Sequence, residues 1–191
     1  MVGAAPSFSE VHLIRALLLL HNSPMGRKRL VKELGLGEGS VRTILKRLWA
    51  DGLVESYRGG QKLSRKGGRK ASSFLEKLWI EGEFHSSDLS EQEKLQVLVI
   101  VKKIGGRVKS SVALRDQALR AGADGAVIIA QKKGDLIFPP DDTPIDDFPD
   151  LKGKLDQEEL RAGDCAIICW AKTREVAEDG ALTIALELLS S

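Results

Sequence analysis

The chain has 191 residues, 42% of them apolar and 29% charged, with a formal net charge of +2. That length suits one ordinary domain or two small ones, and the composition excludes a disordered chain. Two cysteines and three histidines exclude a disulfide framework and argue against a structural zinc site, and no apolar run reaches the roughly 18–20 residues that span a bilayer. The N-terminus shows no basic stretch followed by a cleavable apolar one, so the expected location is the cytoplasm.

The net charge hides a division. Residues 1–80 hold 15 Lys and Arg against 6 Asp and Glu, a net +9. Residues 81–191 hold 14 against 21, a net −7. A basic half suits a polyanion and an acidic half does not, so two domains with different partners are expected. The polar stretch Glu81–Ser87 marks the expected boundary, giving domains over 1–81 and 88–191.

In the first domain, Ser7 or Ser9 caps a helix whose apolar stripe runs through Val11, Ile14, Leu17, Leu18 and Leu20. Pro24 and Gly26 interrupt the chain. A second helix carries Leu30, Val31 and Leu34 inward and stops at Gly35, since glycine enters the left-handed region at little cost. After the turn Gly35-Leu36-Gly37-Glu38-Gly39, a third helix is expected from near Ser40, with Val41, Ile44, Leu45 and Leu48 inward, ending at Asp51-Gly52. Leu53–Tyr57 and Gln61–Ser64 read as strands around the hairpin signal Arg58-Gly59-Gly60. Ala71, Phe74, Leu75, Leu78 and Trp79 then fit the stripe of a fourth helix. Met25, Trp49 and Trp79 are expected in the core.

This order of helix, helix, turn, helix, hairpin and helix is a winged helix-turn-helix plan. The stretch Leu30 to Leu36, continuing through Ser40 to Leu48, resembles the helix-turn-helix of bacterial and archaeal transcription regulators. Asp51-Gly52-Leu53-Val54 is similar to the start of their wing, and Leu63-Ser64-Arg65-Lys66-Gly67 to its return. One departure is a turn with three glycines in five residues. With the apolar positions inward, Arg42, Thr43 and Lys46 face outward, with Ser40 at the helix start. In a helix-turn-helix such positions meet base edges: Arg pairs with guanine and Thr contacts a thymine methyl. Arg27, Lys28, Arg29 and Arg47 suit phosphates, Tyr57, Arg58 and Lys62 in the wing are expected to reach the backbone or the minor groove, and Arg65, Lys66, Arg69 and Lys70 extend the basic surface.

The second domain reads β-α-β-β-α-β-α, a small α/β sandwich with a mixed sheet. Leu95–Val101 is apolar on both faces and reads as a central strand, or as the continuation of a helix capped by Ser90 and Glu93. Ser110 or Ser111 caps a helix running to Ala121 and Gly122. Gly125–Ala130 and Leu136–Phe138 are strands joined at Lys133-Gly134-Asp135. Pro139 to Asp150 is an acidic, Pro-rich loop, read as solvated rather than as a metal site. Asp156 and Glu159 begin a short helix ending at Gly163, Asp164–Trp170 is a strand, and the tail from Thr173 is helical. Cys165 and Cys169 lie about 13 Å apart on their strand and read as core. Ile104-Gly105-Gly106-Arg107 lacks the spacing of a phosphate-cradling loop. Arg115 and Asp116 read as a structural ion pair or as part of an effector pocket.

The block Val108–Val112, Arg115–Ala118, Ala121-Gly122-Ala123 and Gly125-Ala126, with Leu136–Pro139, resembles the C-terminal domain of an archaeal winged-helix family labelled only as of unknown function. The resemblance implies a transcriptional role and supplies neither catalytic residues nor a ligand. The expected protein is a DNA-binding regulator that acts as a homodimer on double-stranded DNA, with a C-terminal domain that dimerises, senses a small molecule, or both. No catalytic set, cofactor, metal or membrane is expected. The alternatives are a small-molecule enzyme fused to a helix-turn-helix, and a winged helix that docks proteins.

Overall fold

The computed structural model describes residues 8–89, 94–158 and 160–190. The chain divides into two compact units, one ending at Glu76 and the other starting at Lys77.

The first unit contains α1 (Glu10–Asn22), α2 (Arg27–Leu34), α3 (Glu38–Ala50), the hairpin strands β1 (Val54–Tyr57) and β2 (Gly60–Leu63), and α4 (Arg65–Leu75). Ser9 is the N-cap of α1, and its backbone N–H donates to Nδ1 of His12 at 3.0 Å. Ser7 lies outside the described residues. Gly35 ends α2 at φ 67°. Leu17, Leu30, Leu34, Val41, Ile44, Leu48 and Leu53 form one core, and Leu45 is only half-buried at its edge. Met25 is in that core, and its backbone exchanges hydrogen bonds with Gln61, adding a third strand segment beside the hairpin. Ser64 caps α4 by accepting from the Gly67 N–H at 3.0 Å. Gly67 must stay glycine, because a Cβ there would stand 1.9 Å from the Leu53 carbonyl oxygen.

Buried in this unit is one cation that the periodicity does not reveal. Arg15 is 2% exposed, and its guanidinium donates to the Glu33 carbonyl oxygen at 3.0 Å. It ties α1 to the last turn of α2, where the helix leaves carbonyls without partners of their own.

The second unit carries one six-stranded sheet. Its strands are β3 (Leu78–Phe84), β4 (Leu95–Val101), β5 (Gly125–Lys132), β6 (Asp135–Phe138), β7 (Thr143–Pro144) and β8 (Cys165–Ala171), in the order β3-β4-β8-β5-β6-β7. The helices are α5 (Ser111–Arg120), α6 (Pro149–Gln157) and α7 (Arg174–Ser190), with a 3₁₀ turn at Gly105–Arg107. One sheet face packs on α5 and α7. The other holds Leu98, Ile100, Ile129, Ala166 and Ile168 against Leu151 and Leu155 of α6. Covered on both faces, β4 and β8 are apolar throughout, as a buried strand requires.

Several expectations are corrected here. Every strand pair is antiparallel, so the sheet is not mixed. Leu78 and Trp79 do not continue α4. They lie on β3, which pairs Leu78 with Val101 and Trp79 with Ile100. The same strand runs through Glu81 to Phe84, so the first part of the stretch Glu81–Ser87 is sheet. α3 begins at Glu38 rather than Ser40, because Glu38 suits the positive first turn. The short helix is α6, earlier than expected. It starts inside the acidic loop, where Pro149 occupies the first turn and needs no N–H donor. Asp156 lies near its end, and Glu159 falls outside the described residues, as do Ser90 and Glu93. Leu95–Val101 is a strand, as the first of its two readings had it. Among the described residues no helix is long and apolar enough to cross a membrane.

Candidate nucleic-acid interface

α3 presents a continuous polar side. Val41, Ile44 and Leu48 are buried, and the helical period turns Arg42, Thr43 and Lys46 outward, where all three are exposed. Ser40 is half-buried in the first turn. The Thr43 hydroxyl donates back to the Gly39 carbonyl at 3.0 Å. Arg42 and Lys46 have no ion-pair partner among the described residues.

Trp49 completes this side. It is 64% exposed, seven residues beyond Arg42 and three beyond Lys46. The expectation that it packs in the core is wrong because Leu48 already fills the inward position one residue earlier. The spacing 42, 46, 49 was the available signal. Trp79 is likewise not core, at 58% exposed, because on the edge strand β3 the inward residue is Leu78.

The remaining cations fall into two sets. Lys28 of α2 and Arg58, in the turn between β1 and β2, are exposed. Arg65, Arg69 and Lys70 of α4 are exposed as well, whereas Arg27, Arg29, Arg47, Lys62 and Lys66 make contacts within the unit. Arg27 meets Glu38 at 2.8 Å and so joins the start of α2 to the start of α3. Arg29 pairs with Glu33 at 3.5 Å, and Lys62 with Glu55 across the hairpin at 3.0 Å. The Arg47 guanidinium lies 5.1 Å from the centre of the Phe8 ring. Lys66 donates to the Asp51 carbonyl at 2.8 Å, satisfying the end of α3. Tyr57 is exposed on the wing, and its ring leans over Gly59. These surface pairs are worth little each and exchange readily with another anion.

In the second unit, Arg115 and Asp116 are 3.9 Å apart and about half exposed. Arg115 borders a depression of about 150 Å³ with Ser111, Val112 and Phe138, and Asp116 is not among its lining residues. A roomier cavity of about 600 Å³ lies against β3 and β4, walled by Trp79, Ile100, Lys102, Lys103 and Arg161. Buried Asp164 shapes its rim, accepting from the Lys103 and Arg161 backbone N–H groups at 3.0 Å each. Glu158 also lines it, and its carboxyl is held above the usual range by burial and by nearby Glu81. The larger cavity was not foreseen at these residues, since strand pairing across the sequence builds it. The depression, by contrast, lies at Arg115, one of the two residues read as an ion pair or an effector pocket.

Cys165 and Cys169 are buried free thiols. Burial pushes Cys165 up to about 12, with Asp164 adding to the effect, and pushes Cys169 up as well. In the acidic segment, Asp142 pairs with Lys132 and Asp146 with Lys152. Asp150 accepts from the Ser87 N–H at 2.7 Å, which lowers its carboxyl below the usual range, while Asp88 accepts from the Leu151 N–H at 3.0 Å. Among the described residues, no three His, Cys, Asp or Glu stand close enough to hold a metal.

Residues 92–188 match the family described as "Domain of unknown function (DUF4443)", and residues 10–69 match the one described as "PH0730-like, N-terminal domain". A similar solved structure is "Hypothetical protein PH0730 from Pyrococcus horikoshii OT3". It is 29% identical, covering 96% of this chain and 94% of that one, with a TM-score of 0.75. No curated protein matches the chain.

Proposed function

From a chain that belongs to the DUF4443 family, whose description assigns no function, we propose a DNA-binding transcription regulator. α3 enters the major groove, and a homodimer engages two half-sites. The observation that carries this reading is the outward row Arg42, Lys46 and Trp49, with Thr43 beside it, on the third helix of a winged helix. Arg42 and Lys46 are positioned to read base edges, and the Thr43 methyl suits a thymine. Lys28 and Arg58 flank them toward phosphates. Arg27, Arg29 and Lys62 join when phosphate displaces their surface carboxylates, a small exchange for exposed pairs.

The second unit contributes pairing and, at the cavity beside Trp79, a place for a small effector. Its volume falls within the range of ligand pockets, roughly 300–1,000 Å³, whereas the depression at Arg115 is too small. We assign no catalysis to it. The cell compartment expected is the cytoplasm.

Selection of bound fragments from a random duplex pool tests this reading. Enrichment of a two-fold symmetric sequence, with half-sites about 10 base pairs apart, is expected. Recovery of no sequence above the input frequency overturns it.

A further inference from the structure

α5 buries Leu114 and Ala118 and turns its other side outward. On that outer side Val112 is 60% exposed and Leu119 is 40% exposed. They stand seven residues apart, on nearly one line down the helix. Arg115 and Asp116 lie between them, one to each side of that line, and both are about half exposed. Their own ion pair is loose, at 3.9 Å. Among the described residues six large apolar side chains are exposed, and two of them are on this ten-residue helix.

We propose that this side of α5 packs against α5 of a second copy of the chain, the two helices running parallel about a two-fold axis. The proposal rests on the homodimer reading and supplies its contact. In a parallel pair each residue on the central line meets its own equivalent, so Val112 packs on Val112 and Leu119 on Leu119. The two flanks cross over. Each Arg115 therefore faces the Asp116 of the other copy, and the ion pair is made twice. An antiparallel pair sets Arg115 against Arg115 and Asp116 against Asp116, so charge selects the parallel arrangement. A ten-residue helix is about 15 Å long, and one such contact covers less than the ~1,200 Å² of a standard stable interface, so the expected association is micromolar.

Sedimentation velocity of the full chain, over about 1–200 μM, tests this. Four variants are compared: Arg115→Asp, Asp116→Arg, both together, and Leu119→Ser. All three positions are on the surface, and circular dichroism confirms folding. Each single reversal should weaken dimerisation by about tenfold or more. The double reversal should restore it to within about threefold, which a merely structural role for either residue would not do. Leu119→Ser should weaken it with no restoration by charge. A dimer indifferent to all four variants overturns the α5 contact and leaves the homodimer reading standing. A double reversal as weak as the singles overturns the parallel arrangement. A wild-type chain that stays monomeric overturns both, and leaves this face to a different protein.

Discussion

The two units place their charges differently. In the N-terminal unit Arg42, Lys46, Lys28 and Arg58 have no ion-pair partner among the described residues, and two of them share one helix side with an exposed tryptophan. In the C-terminal unit several cations meet carboxylates: Lys132 with Asp142, Lys152 with Asp146, Lys154 with Asp150, Lys94 with Asp124. The net +9 of the N-terminal half therefore includes exposed charge gathered on one helix side, against a net −7 in the other half. A basic face becomes an interface when its cations are left unneutralised; the total alone does not decide it.

If the C-terminal unit is held by its sheet, Leu98→Ala should break it first. Leu98 is fully buried beneath α6, and the change should cost about 2–5 kcal/mol in chemical denaturation. DNA affinity per folded molecule and its salt dependence should be unchanged, which keeps the two roles separate. Arg42→Ala should do the reverse. It should leave the melting curve in place and cost about 1–3 kcal/mol on a selected site, relaxing preference at one base pair. Equal loss on selected and scrambled duplexes would mean that α3 does not read bases.

A smaller effect comes from the thiols. The folded state keeps Cys165 and Cys169 protonated above their ordinary range, near 9. Their contribution is complete below about pH 9 and declines as pH rises toward 12, by up to about 1.4 kcal/mol per pH unit for each thiol. Urea melts at pH 8 and about pH 10.5 should therefore separate the wild type from a Cys165→Ala, Cys169→Ala variant, the variant losing less stability. An equal loss in both would contradict the burial of these thiols.

Much of the N-terminal unit was legible because helical periodicity is local. Val41, Ile44 and Leu48 identify the inner side of α3, and Arg42, Thr43 and Lys46 follow on the outer side. Trp49 was misread because an aromatic residue suggests burial, although its place in the period is outward. The partners of Arg27, Lys62 and Arg47 were hidden, since ion pairs and ring contacts join separate segments. In the C-terminal unit the apolar strands were visible, but their directions were not. Leu78 and Trp79 fit helical spacing after Ala71, Phe74 and Leu75, and only pairing with Val101 and Ile100 makes them strand. Pro149 marked a break in the sequence and in the fold starts a helix.

The salt dependence of duplex binding bears most directly on the N-terminal face. If Arg27, Lys28, Arg29, Arg47, Arg58 and Lys62 neutralise about six phosphates, the logarithm of affinity should fall against the logarithm of salt with a slope of about −5. Lys62→Ala should weaken all duplexes alike and make that slope shallower by about one. A slope near zero on every duplex would contradict a DNA-binding role for this face.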